Sequence, residues 1–162
     1  MNYSIKMFGL ALILLSAWLV GLMYSRYCKK RLLQTEGFAL LLSHIEKRVS
    51  LFLCTQKDLV SGYDNESIAD FVREAESGES LFSAFCAVKQ KFFLSEEVKT
   101  KLSDFFSGFG KNYREGELKR ISLFEKELYE LYRREETETP KRIKLAYTLL
   151  FAAALSIVII LL

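Results

Sequence analysis

Apolar positions recur at three- and four-residue steps through the middle of this chain and become almost continuous near both ends. Phe38, Leu41, Leu42, Ile45, Val49 and Phe52 trace one stripe, which predicts a helix with a single buried face. Ser61-Gly-Tyr-Asp-Asn65 then supplies turn chemistry. A short helix follows, with Ile68, Phe71, Val72 and Ala75 on one side, and Ser77-Gly-Glu-Ser80 interrupts it. Leu81, Phe82, Phe85, Val88 and Phe92 predict the next helix. Ser95-Glu-Glu is an N-cap with acids in the first turn, favourable to the helix dipole, and Val98, Leu102, Phe105, Phe106 and Phe109 continue from it. Gly108-Phe-Gly110 marks a close approach or a helix end. A last helix, over roughly residues 112–136, sets Ile121, Phe124, Leu128, Leu131 and Tyr132 against a heavily charged opposite face. Five helices of unequal length, and a single proline in 162 residues, predict an all-α bundle.

The two ends are a different material. Of 23 basic and 20 acidic side chains, only Lys6 lies outside residues 25–144, so residues 7–24 and 145–162 carry no charge. At 1.5 Å rise per residue, each apolar stretch spans about 27 Å as a helix, close to the hydrocarbon thickness of a bilayer. The predicted organisation is an extracytoplasmic N-terminus at 1–6, a membrane helix at 7–24, a helical domain at 25–139, and a membrane-entry turn with a second membrane helix at 140–162. Thr139-Pro140 is expected to start that second helix, as an N-cap followed by a proline whose missing N–H costs nothing there. A cleaved signal peptide is the rival reading of the first stretch. Such a peptide ends in small residues, whereas Tyr24-Ser-Arg-Tyr-Cys-Lys-Lys-Arg31 is bulky and basic. Tyr27 equally argues against lipidation at Cys28.

Charge placement sets an orientation. Arg26, Lys29, Lys30 and Arg31 follow the first span, and Lys141, Arg142 and Lys144 precede the second. These membrane-boundary cations place the central domain in the cytoplasm and both termini across the membrane. Anionic lipid head groups are the expected partners of the basic run, rather than nucleic acid. Neither span carries an ionisable residue of the kind that marks a transport path, so both read as anchors. Gly9, Gly21 and Ala152-Ala-Ala-Leu-Ser156 are small enough to allow close helix contact.

Candidate chemistry is sparse. His44 is the one histidine, and Cys28, Cys54 and Cys86 are far apart with no CxxC spacing, which argues against zinc. An odd number of thiols suits a reducing compartment. Gly108-Phe-Gly-Lys111 lacks the spacing and the preceding strand of a phosphate loop. The thirteen phenylalanines at helical spacing read as core rather than as a ligand box. No enzyme, cofactor, metal or small-molecule substrate is expected. The charged face of residues 114–136 reads most simply as solvated, with Arg114, Glu117, Arg120, Glu127 and Arg134 as candidate partner-facing residues.

An ordered set of features resembles one family. It comprises Lys6-Met-Phe-Gly9, Gly21, Arg31, Ile45-Glu46, Gly78-Glu-Ser80 followed by Ala84-Phe85, Phe105-Phe-Ser-Gly-Phe-Gly110, and the terminal Val-Ile-Ile-Leu-Leu162. Their order and spacing are similar to stage III sporulation protein AB over essentially the whole chain, with Gly9, Gly21, Gly78, Ser80, Phe85, Gly108 and Gly110 as family-like structural positions. The chain departs from that family at Tyr113 and Glu117, near Thr55, and at Leu150 and Ala154. The resemblance implies a cytoplasmic helical domain like that of type II secretion system F proteins, which are inner-membrane platforms above a hexameric ATPase. It further implies a non-enzymatic subunit of a channel-like complex in the mother-cell membrane around the forespore, with other membrane proteins and a secretion-type ATPase as partners. A membrane-anchored sensory or adaptor protein is the alternative. A holin-like protein would have polar span faces and a much smaller soluble part.

Overall fold

The computed structural model describes residues 2–51, 55–78 and 80–161, with side chains from residue 8 to residue 160. Phe52, Cys54, Glu79 and Leu162, and the side chain of Lys6, lie outside the described residues. Helix α1 (Asn2–Leu51) is continuous and carries both the first apolar stretch and the Phe38 stripe. It is followed by α2 (Gln56–Val60), a 3-10 turn (Glu66–Ile68), α3 (Ala69–Ser77), α4 (Leu81–Val88), a second 3-10 turn (Lys89–Lys91), α5 (Glu96–Ser107) and α6 (Arg114–Leu161). No strand occurs among the described residues, so the fold is all-α.

One expected boundary is corrected. Thr139-Pro140 does not begin a helix, because Pro140 lies inside α6 and the helix runs through it. An interior proline forfeits one backbone hydrogen bond and crowds the preceding turn. Here a long helix flanks it on both sides, and that cost is not enough to break it. The change from charged to apolar sequence near residue 140 is therefore a change of composition along one helix, not a turn.

Residues Lys30–Glu135 form one compact unit. Its core is the face that the periodicity predicts. Phe38, Leu41, Leu42 and Ile45 of α1, Ile68 and Phe71, Leu81 and Phe85, Leu102, and Ile121 and Leu128 of α6 are all essentially inaccessible. Phe38 is the hub: its ring meets those of Phe71 at 5.4 Å, Phe85 at 5.8 Å and Phe92 at 5.3 Å. Phe106 of α5 closes the cluster against Phe71 and Phe85, and Phe105 stacks on Phe124 of α6 at 4.5 Å. Burying each such ring contributes about 1.5–3 kcal/mol, as does each buried leucine, isoleucine or valine around it. Phe82 is a correction: it is exposed, because the buried face of α4 runs through Leu81, Ala84, Phe85 and Val88. The helix expected through Phe92 also ends at Val88, and Phe92 reaches the core from extended backbone.

Helix α2 is additional to the five expected. Five residues are too few to show a period, but a capping box signals its start. The Thr55 hydroxyl accepts from the Asp58 N–H, and the Asp58 carboxylate accepts from the Thr55 N–H at 3.1 Å. Ser80 caps α4 by accepting from the Ser83 N–H at 3.1 Å, and Ser95 caps α5 by accepting from the Val98 N–H at 3.3 Å. Gly37 lies within α1 where residues 63–68 dock. The Tyr63 hydroxyl donates to the Gly37 carbonyl at 3.1 Å and the Ser67 hydroxyl donates to the Leu33 carbonyl at 3.0 Å. A Cβ on Gly37 would collide with the Ser67 hydroxyl and lie 3.2 Å from Ile68 Cγ2.

The second unit comprises residues 1–29 and 136–162. Its two helix segments are each long and apolar enough to cross a membrane, with most apolar windows of mean hydropathy 2.0 and 2.3. Only 11% and 6% of those windows are buried, unlike the core helices of a water-soluble bundle. Ala17, Gly21 and Ala154 are buried, and a Cβ on Gly21 would press into the Tyr147 ring. Gly21 therefore permits a close crossing of the two segments, whereas a Cβ on Gly9 would meet nothing within 4 Å.

Candidate functional site

Chemistry of a catalytic kind is not assembled at the one histidine. His44 packs beside the Tyr63 ring at 5.2 Å, and its Nε2 is buried without a hydrogen bond. Burial, with Arg48 and Lys47 nearby, holds its pKa below the ordinary 6.5, so the imidazole is neutral at neutral pH. Cys28 is buried and Cys86 half-buried, both as free thiols. Among the described residues no three His, Cys, Asp or Glu side chains converge as metal ligands. Two clefts flank α5, and neither is lined by His44 or a cysteine.

The features that converge lie along α6. Arg120 sits at the corner between α5 and α6, where its guanidinium lies over the Phe105 ring at 4.6 Å and donates to the Phe105 carbonyl at 3.1 Å. The same guanidinium pairs with Glu117 at 2.7 Å, and Asn112 Nδ2 donates to the other Glu117 oxygen at 3.2 Å. Gly108 makes this possible, since a Cβ there would lie 2.7 Å from Arg120 Nη1. Gly110 then turns the chain with φ of 79°, in the left-handed region that glycine enters without strain. Gly78 serves a different end. Its N–H donates to the Glu74 carbonyl at 2.8 Å, and a Cβ would lie 2.9 Å from that same carbonyl oxygen.

The five candidate partner-facing residues are all engaged within the compact unit. Glu117 is corrected from the solvated face: it is only 4% exposed and carries the Arg120 pair. Arg114 donates through Nε to the Val49 carbonyl at 3.0 Å and through Nη2 to the Ser50 carbonyl. It thereby satisfies carbonyls that the C-terminus of α1 would otherwise leave unpaired. Glu127 pairs with Lys101 and Arg134 with Glu97, each joining α6 to α5. These side chains hold α6 in place.

The boundary cations divide in the same way. Arg26, Lys29, Lys141 and Lys144 are exposed, and Arg142 pairs with Glu138 one turn away. Lys30 instead lies over the Phe93 ring at 4.7 Å. Arg31 is corrected from a lipid-facing role, because it forms an ion pair with Glu135 that Thr35 joins by donating to the second Glu135 oxygen at 3.3 Å. Thr35 is fully buried, and the Arg31 and Glu135 side chains are only 24% and 10% exposed. Beside them Gln34, 3% exposed, accepts from the Phe93 N–H at 2.7 Å. The sequence signal for this cluster is phase. Arg31 and Thr35 continue the stripe of Phe38, Leu42, Ile45 and Val49, and Glu117 and Glu135 bracket that of Ile121, Phe124, Leu128 and Leu131.

One more carboxylate on α6 departs from ordinary titration. Burial and the adjacent Glu46 carboxylate raise the Glu125 pKa above the usual Glu value, while Ser43 and Lys47 oppose the shift. A carboxyl whose folded pKa is raised favours the folded state below its ordinary pKa, and that contribution fades as pH rises through the folded value. Glu125→Gln is therefore expected to stabilise the unit at neutral pH, by a few tenths of a kcal/mol at this partly solvated position. The gain should vanish in acid. Urea titrations of both proteins across that range check it, and a gain that grew on acidification would reverse the assigned sign.

No curated protein and no solved structure matches this chain. The family model described as stage III sporulation protein AB, however, matches residues 6–162. That span covers the periodic helices, both apolar ends, and the glycines at 9, 21, 78, 108 and 110, and by it the chain belongs to the stage III sporulation protein AB family.

Proposed function

We propose that this sporulation protein is a non-enzymatic platform subunit, anchored by its two apolar helices in the mother-cell membrane around the forespore. Residues 1–6 lie outside, 7–24 and 140–162 cross the membrane, and 25–139 form the cytoplasmic domain that meets a secretion-type ATPase and other membrane proteins of the assembly. The observation that carries this reading is the contrast between the two units. A well-packed helical unit, Lys30–Glu135, is joined to helices whose most apolar windows are only 11% and 6% buried. So much bare apolar surface is stable only against lipid or other membrane helices. The distribution of Arg26, Lys29, Lys141 and Lys144 supports the cytoplasmic side for the domain.

The test is co-purification from sporulating cells. The full chain, extracted in mild detergent, is expected to retain a cytoplasmic hexameric ATPase of the secretion type. Its absence from otherwise intact membrane complexes would end the platform reading. Charge reversal at Arg114, Glu117, Arg120, Glu127 or Arg134 is a poor probe of that contact, because each side chain holds α6 to its neighbours.

A further inference from the structure

The chain enters the compact unit at Lys30 and leaves it at Glu135, and the Arg31–Glu135 pair holds these two points together. A segment from elsewhere in the sequence sits at this end. The 3-10 turn Lys89–Lys91, with Phe92 and Phe93 after it, is fastened to α1 twice. The Phe93 N–H donates to Gln34 at 2.7 Å, and Lys30 Nζ lies over the Phe93 ring at 4.7 Å. Phe92 turns into the core, 5% exposed, which sets Phe93 outward at 37%, and Leu33, one turn from Lys30, is 55% exposed. Charge here is one-sided. Residues 80–95 hold Lys89 and Lys91 and no acid. The acids that follow or adjoin them are spent, Glu96 on Lys99, Glu97 on Arg134 and Glu135 on Arg31. Lys89 shares a cleft with Asp104 without forming an ion pair, and Lys30 and Lys91 are exposed with no acidic partner among the described residues.

We infer that residues 89–93 make a second contact with the membrane surface, in which Lys89, Lys91 and Lys30 meet the phosphates of anionic lipids and Phe93 lies among the head groups. Cations without acids beside an outward aromatic ring are the composition of a membrane–water interface, where lysines reach for phosphate and rings sit at head-group level. The distance also fits. Along α1, Lys30 follows Tyr24, the end of the first apolar stretch, by six residues. That is about 9 Å of helical rise, against a head-group layer about 5–8 Å deep, and an extended lysine side chain spans the difference. An acidic protein segment would match the same charges, but here it competes with a lipid surface that the anchoring helices keep permanently close. The inference rests on the membrane placement of those helices and is independent of the ATPase.

The experiment places a photocrosslinking phenylalanine analogue at position 93 of the full chain, in nanodiscs of equimolar phosphatidylglycerol and phosphatidylcholine, and identifies lipid adducts by mass spectrometry. Phosphatidylglycerol adducts should exceed phosphatidylcholine adducts at least about fivefold, the factor carried by one lysine at an anionic surface. Lys89→Glu together with Lys91→Glu should bring the two yields close to equality. Neither lysine is buried, so the double variant should keep the wild-type helical signal. Added salt should lower the preference without any substitution, because it screens exposed charges. No lipid adduct at position 93, equal labelling of the two lipids by the unaltered lysines, or a preference indifferent to the double variant would each overturn the inference. Two further positions fix the cause. Tyr113, 95% exposed at the start of α6, should give no lipid adduct when replaced by the analogue. Trp18 lies in the first apolar stretch, and the analogue there should label lipid chains. No lipid label at position 18 would overturn the membrane reading itself, whereas label at 18 without label at 93 would overturn this inference alone.

Discussion

Replacing Glu135 with alanine is expected to destabilise the compact unit by about 3 kcal/mol, as for removal of one partner from a buried ion pair. The cost comes less from the lost attraction than from what remains. Arg31 would keep its charge in a site where its side chain is 24% exposed, and the buried Thr35 hydroxyl would be left with the Arg31 carbonyl, at 3.1 Å, as its acceptor. Arg31→Ala should cost somewhat less, because Glu135 keeps the Thr35 hydroxyl as a donor. The double variant should be more stable than the sum of the two losses allows, since neither charge is then left alone. Arg31→Lys keeps the charge but not the two-nitrogen contact through Nε and Nη2, and an intermediate loss is expected. Urea unfolding of residues 27–139, followed by helical circular dichroism, measures all four. A loss below about 0.5 kcal/mol for Glu135→Ala would place the pair among ordinary surface ion pairs.

The second large effect is expected at Gly37. On helix propensity alone, Gly37→Ala should stabilise α1 by about 1 kcal/mol. The structure reverses the sign. The added Cβ would collide with the Ser67 hydroxyl and crowd Ile68 Cγ2 at 3.2 Å and Asn65 Oδ1 at 3.4 Å. Relief requires the 63–68 segment to lift, which breaks the Ser67 bond to the Leu33 carbonyl and the Tyr63 bond to the Gly37 carbonyl. It also draws the buried Ile68 away from the core. A net loss of roughly 1–3 kcal/mol is expected, within the usual range for overpacking. The Ser67→Gly background identifies the cause. If the hydroxyl is the obstacle, Gly37→Ala should cost less there than in the wild type, whereas equal costs would point elsewhere.

The same residues mark where a linear reading succeeds and where it stops. The stripe through Phe38, Leu42 and Ile45 and the one through Ile121, Phe124 and Leu128 lie on the core as expected, because a helix repeats its face every few residues. The cap at Ser95 was equally legible, since a cap bonds a backbone group only a few positions away. Phe82 was misplaced because it neighbours a core residue without sharing its face. Glu117 and Glu135 were taken for solvent-facing residues on grounds of charge, although their phase put them on the apolar stripe. Phase gave the better guide. A charged residue in core register signals a buried partner, but which partner cannot be read from either helix alone.

Sequence by itself determined the helical class, the buried face of each long helix, the cap at Ser95, and the segregation of charge away from two apolar ends. All of these follow from interactions within a few residues or from local composition. Tertiary structure decided the rest. It joined Arg31 to Glu135 across 104 positions, laid Arg120 over Phe105, and pressed residues 63–68 onto Gly37. It also carried α6 through Pro140, where local rules placed a start. The physical reason is common to these cases: periodicity fixes the direction a side chain faces, whereas charge pairing and close approach depend on what another helix brings to the same place.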